Sequence, residues 1–165
     1  MLISTRGRYA LRFMISLSEH EDEFAPDKDL KSVGVCRRPV TLTELAAEQE
    51  ISEKYLESIV SDLTKRGLIT GRRGKSGGYR LAHPASEYTV GKILRAAEVT
   101  IPSVACLSED FTIECSRASI CNTLPLWERL DGIIGSILDG ITLEDMKNGN
   151  IDEAIKASLR ELYEK

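Results

Sequence analysis

The run from residue 43 to residue 82 constrains this chain most, because its apolar periodicity changes twice and is punctuated by glycine. Thr43 can cap a short helix through Glu48, with Leu45 and Ala46 facing inward. Ile51 fills a turn. Ser52 then caps a helix to about Arg66, in which Tyr55, Leu56, Ile59, Val60 and Leu63 recur at spacings that share one helical face. Gly67 follows, where a left-handed residue stops a helix. Leu68, Ile69 and Thr70 read as a strand, residues 72–78 as a glycine-rich turn, and residues 79–82 as a second strand. Residues 40–42 add a further short strand. Two short helices joined by a tight turn, then a hairpin, describe a winged helix-turn-helix. The fold class expected is mostly α with a small β wing.

In such a unit the second helix enters the major groove of DNA by its N-terminal residues. Here these are Ser52, Lys54 and Tyr55, with Glu57 and Ser58 on the outward side. A glutamate accepts from a cytosine amino group, and a serine serves either base or phosphate. Arg72, Arg73 and Lys75 in the turn are placed for phosphates or the minor groove. The formal net charge of -4 argues against nucleic acid only if taken whole. Acidic residues gather in 19–29 and in the C-terminal third. Lys65, Arg66, Arg72, Arg73, Lys75 and Arg80 lie in a stretch without Asp or Glu, and such a patch binds phosphate while the rest keeps the chain in solution. The rival reading of the same pattern is a winged helix that binds protein instead of DNA.

Cys106, Cys115 and Cys121 form a C-x8-C-x5-C pattern in a segment, 100–122, with neither helical nor strand periodicity. No apolar run approaches the roughly 20 residues that cross a membrane, and the first residues lack a signal-peptide layout, so a cytoplasmic chain with reduced thiols is expected. Thiols crowded in a loop there imply a metal or redox chemistry. Thiolate is the soft ligand of iron–sulfur clusters. Zinc accepts three thiolates and a fourth ligand, but its structural sites show a tighter cysteine pair. A thiol–disulfide switch needs no metal, and a regulator answering to a metabolite or partner needs no thiol chemistry. Cys36 lies in the aperiodic segment 19–38 and reads as a solvent-facing thiol. His20 and His83 are unconvincing ligands, and Glu44 and Glu48 read as a solvated helix face. No nucleophile–base–orienter set is visible, so the chain is not expected to be an enzyme.

A first helix, capped by Ser4 or Thr5, runs to about Glu19 with Tyr9, Ala10, Phe13, Met14 and Leu17 on one face. Thr89 caps another to about Glu98, with Ile93 and Leu94 inward. Thr123 is a cap and Pro125 suits a first turn. Trp127, Leu130, Ile134, Ile137 and Ile141 then alternate at three and four, a seam for a dimerisation helix of about two heptads. Thr142 opens a short turn of helix, Gly149 stops it, and residues 151–163 form the last helix. The expected organisation is a DNA-binding domain at 1–99 with a loop insertion at 19–39, a cysteine-bearing sensor loop at 100–122, and a helical dimerisation region at 123–165.

The run Ser4-Thr5-Arg6-Gly7-Arg8-Tyr9-Ala10-Leu11 resembles the opening of the IscR-type, or Rrf-two, bacterial transcription regulators. Ile51-Ser52 with Tyr55-Leu56-Glu57, Lys65-Arg66-Gly67-Leu68, and the run from Arg73 to Tyr79 resemble further motifs of that family. Residues 89–93, and Cys121 with Trp127, fit as well. The likeness covers nearly the whole chain except the acidic loop and the last helix. It implies a homodimer with a long crossing dimerisation helix on a double-stranded DNA operator, and promoter affinity set by an iron–sulfur cluster, 2Fe–2S in preference to 4Fe–4S. Carried over by position, the ligands are Cys106, Cys115 and Cys121, and the DNA contacts Ser52, Glu57, Ser58 and Arg73. The first cysteine spacing is longer than is usual in the cluster-biogenesis regulators. Leu124 stands where they have a histidine, and Arg8 where nitric-oxide-sensing relatives have an aspartate. The fourth ligand is thus open, with Glu109, Asp110, Glu114 and Asn122 near in sequence.

Overall fold

In a computed structural model of the chain, the structure describes residues 3–20, 39–74, 77–97, 104–107 and 115–164. Cys36, Lys75, Glu98, Glu109, Asp110, Glu114 and most of the acidic segment lie outside them. The elements are α1 (Thr5–Glu19), α2 (Leu42–Gln49), α3 (Glu53–Lys65), β1 (Ile69–Arg72), β2 (Gly78–Leu81), α4 (Val90–Ala97), α5 (Leu124–Gly140), α6 (Leu143–Asn148) and α7 (Ile151–Tyr163). Among the described residues the fold is mostly helical with one two-stranded antiparallel sheet.

Ser4 starts α1 by accepting from Gly7 N–H at 3.1 Å, and α1 lays Ala10, Phe13, Met14 and Leu17 into the core. They meet Leu45 and Ala46 of α2, Leu56, Ile59, Val60 and Leu63 of α3, and Ile93 of α4. Burying one aliphatic or aromatic side chain is worth about 1.5–3 kcal/mol, so this shared interior is what orients α3. Helix α2 is capped by Thr41, not by Thr43. Thr41 and Glu44 form a reciprocal capping box, and the helix therefore starts two residues earlier than expected. Leu42 is accordingly helical, and only Val40 of the expected strand 40–42 pairs with the wing.

Gly67, at φ +72°, ends α3 and lets Leu68 N–H reach the Leu63 carbonyl at 2.9 Å. In the sheet Ile69 pairs with Leu81 and Arg72 with Gly78. Val40 clamps the base of the wing: its N–H donates to the Tyr79 carbonyl at 2.9 Å, and its carbonyl accepts from Tyr79 N–H at 2.7 Å. Gly78 has φ +147°, and a Cβ there would sit 2.5 Å from the Val40 carbonyl oxygen, so only glycine fits.

Tyr88 ties the wing to the C-terminal helices. It is fully buried, its hydroxyl donates to the Leu68 carbonyl and accepts from His83 N–H, both at 2.7 Å, and its own carbonyl accepts from Leu143 N–H at 2.8 Å. Thr89 pairs with Thr142 in an isolated bridge, and Val90 N–H donates to the Ile141 carbonyl at 2.9 Å. Leu143 enters the main core, so the C-terminal third is packed onto the winged unit. Helix α7 turns back along α5, where Gly140 lies so close to Ser158 that a Cβ would collide.

Replacing Tyr88 with phenylalanine keeps the ring but leaves His83 N–H without its acceptor. Urea unfolding should show a loss of about 1–3 kcal/mol. An unchanged midpoint would remove Tyr88 as the tie.

Candidate nucleic-acid interface

Helix α3 divides cleanly. Leu56, Ile59, Val60 and Leu63 are buried, while Ser52, Glu53, Lys54, Glu57, Ser58 and Ser61 are exposed. Ser52 has extended backbone at φ -62°, ψ 135°, and its hydroxyl accepts from Tyr55 N–H at a long 3.4 Å. The first turn of α3 thus faces outward with loosely capped N–H groups, a setting that favours an anion. Lys54 and Glu57 are exposed and make no hydrogen bond or ion pair among the described residues.

Two of the expected contacts are differently employed. The Tyr55 ring meets the Tyr9 ring edge-to-face at 5.8 Å, so much of it braces α1, although 37% of it remains exposed. The Ser58 hydroxyl donates to the Tyr55 carbonyl at 2.8 Å and accepts from Arg6 Nη1 at 2.8 Å. Arg6 was not legible as a site residue. It also holds the Ser58 carbonyl, the Ala97 carbonyl and the Asp62 carboxylate. This bond, and then that from Lys65, hold the Asp62 carboxyl below the usual carboxylate range. Lys65 also pairs with Asp62, at 3.3 Å.

Among the described residues the wing arginines have no such partner. Arg72, at the end of β1, and Arg73, the next residue, are exposed and unpaired among the described residues, just before Gly74 at φ +111°. A cation with no internal carboxylate keeps its full charge for an external phosphate. Arg66 is exposed as well, and Arg80 half-buried.

Cys106 sits exposed in a short 3-10 turn (Ala105–Leu107), Cys115 is exposed, and Cys121 is half-buried at the entrance to α5. All three are free thiols. Thr123 occupies the N-cap of α5 but does not cap it; its hydroxyl lies 3.4 Å from Cys121 Sγ. That contact, then backbone N–H groups and Arg117, lower the Cys121 thiol from its ordinary value. Among the described residues no three Cys, His, Asp or Glu side chains converge, so the three cysteines are not gathered into one site. Their chemistry still fits a thiophilic group: three unoxidised sulfurs, two open to solvent and one whose thiol is held below its ordinary value. The histidines are engaged elsewhere, His20 at 3.2 Å from Glu48 and His83 at 3.7 Å from Glu87. Glu48 also accepts from buried Ser16, so it joins α1 to α2 and is no idle solvated carboxylate. Arg8 is exposed and donates to Thr5, and Asn122 is exposed.

No residue within α5 is buried. Leu126 is 54% and Leu130 37% exposed, with Trp127 and Ile134 half-covered, so the N-terminal half of the seam is open apolar surface. Its other end is not: Ile137 packs against Val90, Leu94 and Ile141, and Ile141 itself is buried just beyond the helix. No described helix is long and apolar enough to cross a membrane.

The chain matches the family model described as Rrf2, iron-dependent transcriptional regulator, over residues 3–149. It is 32% identical to the HTH-type transcriptional regulator IscR of Aliivibrio salmonicida, over 91% of this chain and 79% of that protein. Among solved structures it is similar to CymR, the global cysteine regulator of B. subtilis, with 34% identity and a TM-score of 0.67 over 90% of this chain and 97% of that one. T. potens IscR is similar at 32% identity and a TM-score of 0.65, over 91% of this chain and 88% of that one. With the winged-helix geometry and these matches together, the chain belongs to the Rrf2 family of transcriptional regulators.

Proposed function

We propose that this regulator binds an operator as a homodimer and that an iron–sulfur cluster on Cys106, Cys115 and Cys121 sets its affinity. The single observation carrying the DNA part is the set of exposed charges, unpaired among the described residues, on one continuous unit: Lys54 and Glu57 on α3, Arg72 and Arg73 on the wing. In this reading residues 1–99 hold the DNA, 100–122 sense, and 123–165 pair two chains. Ser52, Lys54, Glu57 and Ser58 face the major groove, with Tyr55 behind them against Tyr9. Arg72, Arg73 and Lys75 reach the backbone or minor groove.

The homodimer is supported by α5, whose open Leu126, Trp127, Leu130 and Ile134 form an apolar strip on a helix with no buried residue. Apolar side chains on such a strip gain by meeting a second copy. Ile137 and Ile141 contribute from the base, where they join α5 to the body. For the cluster, support comes from three free thiols and from the match to a family described as iron-dependent. When bound, the cluster would supply a ligand state that differs between iron-replete and iron-poor or oxidising conditions. The chain's own part is to offer thiolates, Cys121 most readily, beside the start of α5. A second reading keeps the fold and drops the cluster: the likeness to a protein titled a cysteine regulator, and the lowered Cys121 thiol, favour a thiol response.

Replacing Arg72 and Arg73 with alanine should weaken binding to all duplexes alike and reduce the slope of log affinity against log salt by roughly one for each phosphate no longer neutralised. An unaltered slope would put the wing off the DNA. Leu130→Glu should shift sedimentation toward monomer and cost at least about tenfold in operator affinity, about 1.4 kcal/mol. A dimer that survives this change would place the pairing surface elsewhere. Oxygen-free reconstitution with iron and sulfide should give thiolate-to-iron absorption in the visible range, absent from the Cys106/Cys115/Cys121 triple alanine variant. A triple variant with the same spectrum would exclude these ligands, and wild-type protein that stays colourless while its operator affinity responds to thiol oxidation would favour the second reading.

A further inference from the structure

Arg6 makes four side-chain hydrogen bonds among the described residues, one of them to the hydroxyl of Ser58 on the exposed face of α3. It stands in the first turn of α1. Its Nε donates to the Ala97 carbonyl at 2.9 Å, Nη1 to the Ser58 hydroxyl at 2.8 Å, and Nη2 to the Ser58 carbonyl at 2.8 Å and to Asp62 Oδ2 at 2.5 Å. One planar fork therefore spans three helices. A guanidinium carries five N–H donors in fixed geometry, and a lysine cannot reproduce that pattern. Ala97 is the last residue of α4, just before the chain leaves for the segment that bears Cys106.

The consequence for Ser58 follows from counting protons. A serine hydroxyl has one proton and two lone pairs. Arg6 can only donate, so Ser58 Oγ must accept there. The Tyr55 carbonyl can only accept, so the one proton goes to it, at 2.8 Å. What Ser58 has left for DNA is a lone pair. A phosphate oxygen, which needs a donor, is thereby excluded. A base amino group in the major groove, the cytosine N4 or the adenine N6, is accepted.

We propose that Arg6 is the specificity-determining positioning residue of this protein: it holds Ser58 as a hydrogen-bond acceptor toward base amino groups and fastens the recognition helix to the end of α4. The inference rests on the reading of α3 as the groove helix. It makes Arg6 a residue of base selection with no phosphate contact of its own. It also ties α3 to the last residue of α4, because a displacement of the Ala97 carbonyl removes one of the four bonds that Arg6 makes.

The test begins with a duplex selected by the wild-type protein from a random library. Affinities of cluster-free wild type, Arg6→Gln, Arg6→Lys and Ser58→Ala for that duplex, and for a random duplex of equal length, are measured by anisotropy across salt concentrations. Arg6→Gln should lose at least about tenfold of the ratio between selected and random duplex, with the salt slope and random-duplex affinity unchanged. Arg6→Lys, which keeps charge but not the fork, should recover only part of the ratio. Ser58→Ala should lose preference at a base pair offering an amino group, and should add no further loss in the Arg6→Gln background. Thermal melts report whether each variant is folded, and the ratio itself is insensitive to an inactive fraction. Full wild-type discrimination in folded Arg6→Gln, or additive losses in the double variant, would overturn the proposal while leaving the DNA reading intact. A failure of the wild type to enrich any duplex would overturn both.

Discussion

One cylinder, α3, has to satisfy two demands that oppose each other. Leu56, Ile59, Val60 and Leu63 must be buried, while Lys54 and Glu57 must stay charged, exposed and, among the described residues, unpaired. The burial is what makes the exposure useful. Side chains packed in an interior at crystal-like density fix the rotation of the helix about its own axis, and that rotation decides whether Lys54 and Glu57 look outward. Everything else in the winged unit serves this setting. Phe13 and Met14 give α3 a floor, Gly67 ends it so that β1 can begin, and Val40 holds the base of the hairpin.

Polar bonds then reinforce what the packed core sets. Hydrogen bonds are steeply directional, so they hold the rotation that the packing selects. Arg6 and Tyr88 supply the directional part from opposite sides. Arg6 locks α3 to α1 and α4, and Tyr88 locks Leu68, at the root of the wing, to α6. The charges are sorted accordingly. Asp62 is spent on Arg6 and Lys65 within the protein, while Arg72 and Arg73 are left without an internal partner among the described residues. A chain of net charge -4 thus keeps a local cationic edge.

Much of this was legible in the sequence because it is local. The apolar periods of α1, α3 and α4, the glycine after α3 and the threonine before α6 all act within a few residues, and the spans of α1, α3 and α7 agree with the structure. Helix α2 was misplaced by two residues because two threonines compete for its cap. Glu44, three places after Thr41, decides between them, and that signal was present in Thr41-Leu42-Thr43-Glu44. Thr123 looked like a cap because of its position, yet its hydroxyl turns to Cys121. What no local pattern carries are the partnerships across the chain. Arg6 meets a carbonyl 91 positions away, Tyr88 a carbonyl 20 positions away, and Tyr55 leans on Tyr9. The far end of the heptad seam misled in the same way: Ile141 has the right spacing for a partner helix but is buried against Val90 and Leu94 of its own chain.

The most direct test of the central claim, that the face of α3 left free by the core is the face that meets DNA, is lysine footprinting with a selected duplex. Lys54 lies on that face, and Lys156 lies exposed on α7. Acetylation followed by mass spectrometry should find Lys54 shielded when the duplex is bound, with Lys156 reacting as before. Equal reactivity of Lys54 with and without a saturating duplex would contradict the assignment of α3 to the groove.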